Sequence, residues 1–428
     1  MPMMDRTMRI LYVTPYVPSL IRVRPYNLIR YLARRGHQVT VLALQSSDDE
    51  LADAEALRAE GVEVETVLLS RWNSLMNCLR ALPTRTPLQA AYCWSSAMEV
   101  RLRALMAERQ FDLVHVEHLR GAHFGAIAGG VPRVYDSVDC ISLLFDRTRR
   151  ESPRWTSRLM AQMELGRTRR YEARLLAMYD AVLVTSRDDR IALERLANSF
   201  NQDRRAPVLV LTNGVDLDYF APMDVPREPE SLVFSGKMSY HANVAAVLYL
   251  AQEIMPLVWA RRPQATLTLV GQNPPPVIRA LAADPRIRVT GYVPDIRPYL
   301  ARAAVSVNPI CYGVGVQNKV LEAMAMATPV VTTSQACGAL EVRDGEHLLV
   351  AEGADMLAWQ IERILADPAL ADSLGRNGRR YVETHHDWQA VTERLEQIYQ
   401  RTIEAFGAAR EVRPVPHQVT VPSEVTVA

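Results

Sequence analysis

The side chains best suited to chemistry lie in one stretch that contains a glycine turn. It runs from Gly313 to Val331, reads GVGVQNKVLEAMAMATPVV, and has an apolar run of strand length on each side. A strand, a glycine turn and a helix N-terminus in succession present backbone N–H groups to an anion. The predicted helix is apolar on nearly every side, which indicates burial. Within it, Lys319 and Glu322 share one face, and a buried carboxylate is costly unless it meets a specific partner.

Two interpretations of this pair remain open. Lys319 and Glu322 could form a local ion pair at the edge of a packed helix. Alternatively they belong to a ligand site, in which the glycine turn and Lys319 bind phosphate while Glu322 accepts hydrogen bonds from hydroxyl groups. A helix N-terminus contributes only about 0.3–1 kcal/mol, whereas micromolar affinity needs about 8 kcal/mol. A diphosphate would therefore need fixed cations as well, and Lys237 is the other candidate.

Three turns at predicted strand ends in this half of the chain carry unusual residues. They read GKMSYHAN, GYVPD and GVGVQNK, and Lys237 follows Gly236 in the first of them. Because the carboxyl ends of neighbouring parallel strands share one edge of a sheet, we expect the three turns to converge. The sequence has no aspartate pair with metal-ligand spacing, no Walker A sequence and no G-x-S-x-G nucleophile motif. We therefore expect an anion site that is not a Mg²⁺-dependent kinase-like site, and we assign it no bound cofactor.

The first half of the chain offers a second group of candidates. The segment HVEHLRGAH places Glu117 and His118 at the end of a predicted strand, with His115 inside it as an expected core histidine. His118 could touch a reacting centre or could be a packed loop residue. Arg22 and Arg24, which follow the first strand, could meet an anionic acceptor or only solvent.

The elements that position these residues are short apolar strands alternating with helices. Strand, helix, short turn and strand repeat from Met8 to about Thr212, which predicts a parallel, doubly wound α/β sheet. A proline-rich, charged linker over 222–230 precedes a second series of the same kind. We predict an N-terminal domain over 1–222, a C-terminal domain over 223–386, an amphipathic helix over 387–405, and a disordered tail over 407–428. That the helix joins the first domain is implied only by the family resemblance given below.

The composition is that of a soluble protein with two domains, because 428 residues exceed one ordinary core and 49% of them are apolar. The net charge of +1 argues against a dedicated nucleic-acid binder. Five scattered cysteines without metal-ligand spacing indicate reduced thiols in the cytoplasm. The N-terminus has no signal-peptide pattern, and no apolar run approaches the ~18 residues that a membrane helix needs.

Two segments of the first half combine aromatic, apolar and basic residues, namely Arg71 to Ala104 and Arg147 to Arg174. Such a combination suits an anionic membrane surface. The alternative is a solvated helix with ordinary acidic counter-residues, for which Glu151, Glu164 and Glu172 are available. Both interpretations stay open at the level of the sequence.

Several motifs together bring a family resemblance. The segment NGVD-x-x-x-F before the linker, the turn GYVPD and the run x-K-x-L-E-A-M-A-x-x-x-P-V-V closely resemble retaining glycosyltransferases of family 4. The resemblance covers about Met8 to Ile403 and is most specific over Lys319 to Val331. It implies the GT-B fold, in which two Rossmann-like domains face each other across a cleft. It also implies a nucleotide-sugar donor held mainly by the second domain, acceptor contacts from the first domain, and no catalytic metal.

The resemblance assigns roles to residues by their position in these motifs. Glu322 looks like the glutamate that holds the donor ribose, Lys237 resembles the cation on the diphosphate, and Tyr292 and Val293 resemble the backbone segment beside the base. The catalytic candidates are Lys237, Lys319 and His118. The donor-binding candidates are Gly236, Tyr292, Val293, Gly315, Val316, Gln317, Asn318 and Glu322. The acceptor-side candidates are Arg22, Arg24 and Glu117.

One departure from the family pattern concerns the transferred sugar. Family members usually carry a second glutamate before the one at Glu322, with seven residues between, and Val314 stands there. The usual second lysine is also replaced, by Ala242. The wording QNKVLEAMAMA resembles a variant branch associated with exopolysaccharide gene clusters, in which Gln317, Asn318 and Lys319 take over sugar and phosphate contacts.

From these observations we expect a glycosyltransferase that extends a saccharide or a lipid-linked acceptor, with retention, in exopolysaccharide or cell-surface glycan synthesis. We expect it in the cytoplasm, with association to the inner membrane face left open. Two alternatives remain: a nucleotide-sugar 2-epimerase on the same fold, and a donor-binding partner without catalytic activity, which the missing carboxylate at Val314 favours.

Overall fold

The first half of the chain builds a parallel sheet with helices on both faces. The computed structural model describes residues 7–151, 155–200, 205–310 and 316–411. The strands of the first half are β1 (Arg9–Thr14), β2 (Gln38–Gln45), β3 (Glu63–Leu68), β4 (Leu113–Glu117), β5 (Arg133–Val138), β6 (Ala181–Val184) and β7 (Val208–Val210). They are hydrogen-bonded in the order β3-β2-β1-β4-β5-β6-β7, and every pair is parallel. The strand order changes direction between β1 and β4, which is where ligands bind in such sheets.

The helices of this domain lie between the strands, and several begin at a serine whose hydroxyl accepts a backbone N–H. Ser70, Ser95 and Ser186 cap helices in this way, as the preference for small polar N-caps predicts. The helices are α1 (Val23–Arg34), α2 (Glu50–Ala59), α3 (Arg71–Ala81), α4 (Leu88–Tyr92), α5 (Ser96–Glu108), α6 (His118–Gly121), α7 (Ile141–Glu151), α8 (Trp155–Met178) and α9 (Arg187–Ser199), with a 3-10 turn over Ala122–Ala126.

The second half repeats this architecture with a six-stranded parallel sheet. Its strands are β8 (Ser231–Ser235), β9 (Thr266–Val270), β10 (Ile287–Gly291), β11 (Val305–Asn308), β12 (Val330–Thr332) and β13 (Leu349–Val350), in the order β10-β9-β8-β11-β12-β13. Its helices are α10 (His241–Tyr249), α11 (Met255–Trp259), α12 (Pro276–Arg279), α13 (Arg297–Arg302), α14 (Asn318–Ala325), α15 (Ser334–Cys337), α16 (Ala354–Ala366) and α17 (Pro368–His385). A π-helical turn over Leu250–Ile254 joins α10 to α11.

The last helix, α18 (Trp388–Glu411), returns to the first domain. Trp388, Leu395 and Tyr399 are fully buried in the core on the α1 side of the first sheet. Gly214 lets the chain pass over the Trp388 ring, because a Cβ atom there would lie 2.6 Å from the indole. The helix reaches Glu411, so residues 407–411 are helical and the predicted disordered tail is wrong for them. Residues 412–428 lie outside the described part of the chain.

One helical stretch corrects the expectation that no segment is apolar enough to cross a membrane. His241–Trp259 meets the requirement by length and composition, and half of its most apolar window is buried inside the structure. Val247, Leu250 and Ile254 are completely buried in the core of the second domain. Its packing is therefore that of a core helix in an α/β domain.

The predicted fold class is confirmed. Strands alternate with helices from β1 to β7 and again from β8 to β13, as predicted, and both sheets are parallel and covered by helices on two faces. The carboxyl edges of the two sheets meet where Asn213, after β7, donates from Nδ2 to Oδ1 of Asn318 in α14 over 3.1 Å.

Candidate functional site

The turns at the carboxyl edge of the second sheet lie against one another. A Cβ atom on Gly271, after β9, would lie 1.8 Å from the carbonyl oxygen of Gly236, after β8. The Gly271 N–H also donates to the Gly291 carbonyl at the end of β10 over 3.2 Å. A Cβ atom on Gly236 would lie 3.1 Å from Cε of Lys319. The backbone and the lysine therefore approach at a distance that only glycine allows at these φ values.

Lys319 lies in the first turn of α14 and is only 9% exposed. Its Nζ donates to Oδ1 of Asn243 over 2.7 Å and to Oε1 of Gln317 over 3.4 Å. Burial lowers the pKa of Lys319 to about 8, and the charge of Glu322 offsets this only in part. Both hydrogen-bond partners are neutral amides, so among the described residues the buried ammonium has no direct counter-charge.

Glu322 follows Lys319 on the same helix and is partly buried. Within the described ranges, no basic nitrogen lies within 4.0 Å of its carboxylate and no hydrogen bond reaches it, so the local ion pair considered from the sequence is not formed. Burial raises the pKa of Glu322 to about 7, and the charge of Lys319 opposes this shift. Glu322 is therefore a partly desolvated acceptor at the helix edge, and its oxygen atoms have no hydrogen-bond partner among the described residues.

The other predicted donor residues surround this pair at different depths. Lys237 is exposed at the turn after β8, and its carbonyl accepts from Nδ2 of Asn243 over 2.9 Å. Asn318 is occupied by its contact with Asn213. Val316 and Val293 are partly buried, Tyr292 is 75% exposed, and Gly315 lies outside the described residues. The N-cap of α14, Gln317, makes no side-chain capping bond, which leaves the helix N-terminus open to an anion.

Lys237 and Lys319 are the only two lysines in the whole sequence; every other member of its 49 basic side chains is an arginine. Both lysines lie at the same edge of the second sheet, and Asn243 contacts the backbone of one and the ammonium of the other. Lysine differs from arginine here because its ammonium is a compact charge that can lose its proton when it is buried.

The carboxyl edge of the first sheet carries a group of acidic and aromatic residues that is almost wholly buried. Glu117, at the end of β4, is 1% exposed and accepts from Tyr16 Oη over 2.7 Å and from Tyr12 Oη over 3.3 Å. Burial, and then the charge of Asp136, raise the pKa of Glu117 to about 8. His115 behaves as the expected core histidine: it stacks on Tyr12, and its Nδ1 lies 2.7 Å from Oη of Tyr399.

The acceptor-side arginines do not form an open anion site. Arg24 is buried in an ion pair with Asp136, with Nε 2.8 Å from Oδ2, and its Nη1 donates to Oδ1 of Asn213 over 3.0 Å. Arg22 pairs with Glu50 at 3.3 Å and lies over the Tyr16 ring. Arg24 and Glu117 are both buried inside the first domain. Arg24 neutralises Asp136, and Glu117 is hydrogen-bonded to Tyr12 and Tyr16, so neither side chain is left unpaired by burial.

His118 is the predicted first-domain residue that remains available for chemistry. It has φ +62°, a strained value for a residue other than glycine, and such strain clusters at functional sites. Its Nδ1 accepts from the Arg120 N–H over 3.2 Å, so the proton of the neutral ring is on Nε2. Burial lowers the pKa of His118 to about 3, which keeps the ring neutral and its Nε2–H free to donate.

A cavity of about 1000 Å³ opens beside the carboxyl end of β3 and was not anticipated from the sequence. Trp72, Trp94, Glu99 and Arg80 contribute to its walls. His123 also lines it, and neither ring nitrogen of His123 has a hydrogen-bond partner among the described residues. A smaller cavity of about 470 Å³ lies under α13 and includes Val293 but neither Lys319 nor Glu322.

Sequence reasoning also missed two asparagines. Asn243 bridges the turn after β8 and Lys319, and Asn213 bridges Arg24 and Asn318 across the two domains. Asn213 stands in the NGVD motif, which signalled a turn but not this contact, and nothing in the pattern distinguishes Asn243. Across 7–151, 155–200, 205–310 and 316–411, no group of three or more His, Cys, Asp or Glu side chains is placed to hold a metal ion.

Two family models match the chain, and both describe glycosyltransferases. Residues 21–214 match the model for a glycosyl transferase 4-like domain, and residues 229–367 match the model for glycosyl transferases group 1. The two matches correspond to the two sheets and span most of the chain. The paired Rossmann-like domains define a glycosyltransferase of the GT-B class. Within that class, the chain belongs to glycosyltransferase family 4.

Several curated relatives are enzymes of capsule, lipopolysaccharide and glycolipid synthesis, and two others are glycogen synthases of Mycobacterium tuberculosis, 27% identical over 45% of this chain and 48% of theirs. The chain is 23% identical to a phosphatidyl-myo-inositol mannosyltransferase of Mycobacterium leprae, over 95% of this chain and 100% of the relative. It is 32% identical to the capsular polysaccharide glycosyltransferase CapM of Staphylococcus aureus over 28% of this chain, and 28% identical to the lipopolysaccharide core glycosyltransferase LpsE of Rhizobium meliloti over 42%. These last two alignments span only 32% and 52% of the relatives' own length.

Solved structures share the fold at low sequence identity. The Anabaena protein HepE in complex with UDP superposes with a TM-score of 0.65 at 16% identity, over 92% of this chain and 100% of that one. Sucrose-phosphate synthase from Thermosynechococcus elongatus superposes with the same TM-score at 19% identity, over 93% of this chain and 100% of that one. At these identities the similarity concerns the fold.

Proposed function

We propose that this glycosyltransferase uses a nucleotide-diphosphate-sugar as donor and transfers the sugar with retention and without a metal ion. The observation that carries the proposal is the buried ammonium of Lys319, which has amide partners but no counter-charge among the described residues. A diphosphate at the open N-terminus of α14 would supply that charge. Lys237, exposed on the neighbouring turn, would contact the same diphosphate.

The remaining donor contacts follow from the arrangement around this pair. Glu322 offers free carboxylate oxygens at a desolvated position, which suits hydrogen bonds from the two ribose hydroxyls. The segment at Tyr292 and Val293 would lie beside the base, and Gln317 and Asn318 would contact the sugar. HepE, which shares the fold, binds UDP and UDP-glucose, and this supports a donor of the same kind here.

In the proposed reaction, the bond between the anomeric carbon and the diphosphate oxygen breaks. The acceptor hydroxyl oxygen forms its bond on the same face of that carbon, and its proton passes to an oxygen of the departing diphosphate. Lys319 and Lys237 stabilise the negative charge that develops on the leaving group. His118, with a neutral ring and a free Nε2–H, is proposed to hydrogen-bond the transferred sugar from the first domain.

We further propose that the acceptor is a saccharide or a lipid-linked saccharide and that the product belongs to an exopolysaccharide or another cell-surface glycan. The named relatives act in capsule, lipopolysaccharide and glycolipid synthesis, which supports this role. The cavity beside β3 suits a sugar, because Trp72 and Trp94 offer flat apolar faces and Glu99 offers hydrogen-bond acceptors. Cys78, Cys93, Cys140 and Cys337 are free thiols, which fits a reducing cytoplasm.

A binding experiment tests the donor site. UDP, GDP, ADP and their sugars are added separately, and the unfolding temperature is measured; a ligand at 100 times its Kd stabilises the native state by about 2.7 kcal/mol. We expect one nucleotide diphosphate to give a shift that Lys319→Ala and Glu322→Ala reduce. Arg261→Ala, which removes an exposed cation elsewhere on the second domain, is the control. Wild-type affinity in both site variants would show that the assignment is wrong.

A chemical experiment gives an independent answer because the chain has only two lysines. The protein is acetylated with and without the nucleotide found above, and each lysine is followed by mass spectrometry. The nucleotide is expected to protect both Lys237 and Lys319. To separate transfer from the two alternatives, the donor sugar is then incubated alone and with a panel of acceptors. Epimerised sugar without acceptor favours a 2-epimerase, whereas binding without turnover favours the non-catalytic partner that Val314 suggests.

A further inference from the structure

An unbroken row of apolar side chains is exposed along α3 of the first domain. Trp72, Leu75 and Leu79 are spaced by three and four residues, so they share one side of the helix, and Leu82 follows at its end. The opposite side of α3 packs inward through Ser74, Asn77 and Ala81. The exposed row is therefore a second, unpartnered face of this helix.

A similar row lies on α8 and leads to the end of α3. Trp155, Leu159 and Met163 follow one another at intervals of four residues. The next position in this series is Arg167, whose Nη2 donates to the carbonyl oxygen of Leu82. The two rows therefore meet at this contact, and with Met160 their eight apolar side chains are between 47% and 71% exposed. We call these eight residues the apolar patch: Trp72, Leu75, Leu79, Leu82, Trp155, Leu159, Met160 and Met163.

The charges around the apolar patch are almost entirely positive. The sequence from Thr66 to Met98 contains no acidic residue. The two glutamates of α8, Glu164 and Glu172, are 5% and 1% exposed and point inward. Glu164 accepts from the Leu88 N–H over 2.8 Å, and Glu172 accepts from the Ile141 N–H over 2.7 Å. Neither is available as a solvated counter-charge, and the side chain of Glu151, the third acidic residue that the sequence offered, lies outside the described part of the structure.

The arginines beside the apolar patch remain exposed and, among the described residues, have no carboxylate within 4.0 Å. They are Arg71, Arg80, Arg85, Arg158, Arg170 and Arg174. A single protein surface that combines a contiguous apolar area with unpaired cations has the chemistry of a site for an anionic lipid bilayer. The whole-chain charge of +1 shows that this basicity is local rather than general.

We propose that the first domain docks on an anionic bilayer through the apolar patch, with Trp72 and Trp155 entering the interface and the flanking arginines binding lipid phosphates. Docking itself does not depend on the proposed reaction. One consequence of docking does depend on the proposed reaction. Because Trp72 also lines the cavity beside β3, the cavity would open next to the bilayer and could receive the saccharide end of a lipid-linked acceptor.

The first test measures cosedimentation of the full-length protein with vesicles. Vesicles of phosphatidylglycerol mixed with phosphatidylcholine are compared with vesicles of phosphatidylcholine alone. We expect binding only to the anionic vesicles, and weaker binding as salt rises from about 0.1 M to about 1 M, because the Debye length falls from about 10 Å to about 3 Å. Absence of binding to anionic vesicles at low salt would overturn the proposal, as would equal binding to both compositions.

Matched variants assign the binding to this face. Arg158→Glu with Arg170→Glu is expected to weaken vesicle binding at least about tenfold, since each basic residue near an anionic surface contributes roughly a fivefold gain in affinity. The control reverses two exposed arginines of the second domain, Arg261→Glu with Arg279→Glu. In the apolar arm, Trp155→Glu is compared with Trp359→Glu, which changes an exposed tryptophan on α16.

Two readouts keep the outcomes distinct. All variants change exposed side chains, so the unfolding temperature and the response to the nucleotide should match those of the wild type. Equal loss of vesicle binding in patch and control variants would overturn the assignment to this face. Size-exclusion chromatography tests whether the partner of the apolar patch is instead a second copy of the protein. If the patch variants dissociate an oligomer and vesicle binding is unchanged, the surface is an interface between protein chains and the proposal is wrong.

Discussion

The carboxyl edges of the two sheets both bury charged side chains, but they treat them differently. In the first domain, Arg24 is in an ion pair with Asp136, and the carboxyl of Glu117 is hydrogen-bonded by two tyrosines. In the second domain, the ammonium of Lys319 donates hydrogen bonds only to amides, and no hydrogen bond reaches Glu322 within the described residues. At the corresponding edges of the two sheets, the charged side chains therefore have partners within the protein in the first domain and lack them, among the described residues, in the second. We call the first edge closed and the second edge open.

This difference separates structural charges from functional ones. A buried charge that has its partners inside the protein holds the fold, and its removal leaves the partner uncompensated. A buried charge whose partner is missing costs stability until a ligand arrives, so it is expected where binding occurs. By this criterion Arg24 is a structural residue, although the sequence suggested an acceptor contact, and we propose Lys319 as a binding residue.

The largest expected effect comes from opening the closed edge. Arg24→Met leaves Asp136 buried without its partner, and the free energy of unfolding should fall by about 3–5 kcal/mol. Denaturant-induced unfolding followed by fluorescence measures this change. Arg22→Met is the matched control, because it removes a partly exposed ion pair with Glu50 and should cost about 0–1 kcal/mol. Equal losses in the two variants would contradict the structural role given to Arg24.

A second prediction concerns the open edge. Lys319→Met removes hydrogen bonds from a charged donor to the diphosphate, each contributing about 1.5–3 kcal/mol. The affinity for the nucleotide diphosphate should fall roughly 10- to 100-fold, measured by isothermal titration calorimetry. Stability should not fall, because the variant replaces a buried charge that has no counter-charge. A variant that unfolds more easily and binds normally would place Lys319 among the structural residues.

Glu322→Gln tests the ribose assignment with a smaller expected effect. The amide keeps the size of the side chain but loses one acceptor and the charge, so affinity should fall about 10-fold. The informative comparison is between the nucleotide and its 2′,3′-dideoxy analogue. Wild type should bind the natural nucleotide better, and Glu322→Gln should bind the two almost equally. If the variant still prefers the natural nucleotide as strongly as wild type does, Glu322 does not contact the ribose.

The smallest expected effect is a pH dependence of donor binding. Burial lowers the pKa of Lys319 to about 8, and a bound diphosphate should raise it again because it stabilises the ammonium. Affinity should therefore be constant well below pH 8 and fall, by less than about tenfold per pH unit, as the pH rises through and beyond it. The same shift means that Lys319 disfavours folding below about pH 8 and that this cost declines towards pH 10.5. Calorimetry across the pH range checks the first point, with Lys319→Met as the variant whose affinity should not respond.

The fold was largely predictable because its signals are local. Buried parallel strands appear as short apolar runs, and the alternation with helices leaves few other topologies. The tail was less predictable: α18 continues to Glu411 although the composition changes after Phe406. His241–Trp259 was also misjudged, because the apolar content of a core helix can match that of a membrane helix.

Of the candidate site, only the part in the second domain was predictable from the sequence. Lys319 and Glu322 lie on one helix, so their spacing already placed them on a common face. The partners of Arg24 and Glu117 come from distant strands, and nothing in the sequence near Arg24 signals Asp136. Asn213 and Asn243 were missed for the same reason, since each joins elements that are far apart in the chain.

The scarcity of lysine has a practical consequence and a chemical one. Reagents that attack primary amines find only two lysine side chains in the sequence, Lys237 and Lys319, so coupling to a surface through either would hold the protein by its proposed donor edge and block it. Arginine, used everywhere else, keeps its proton at any pH a cell experiences. Lys319 is thus a cation at the edge of the second sheet whose charge can change when a ligand binds and leaves. Isotope-labelled methyl groups attached to the amines of Lys237 and Lys319 would report this binding and release directly.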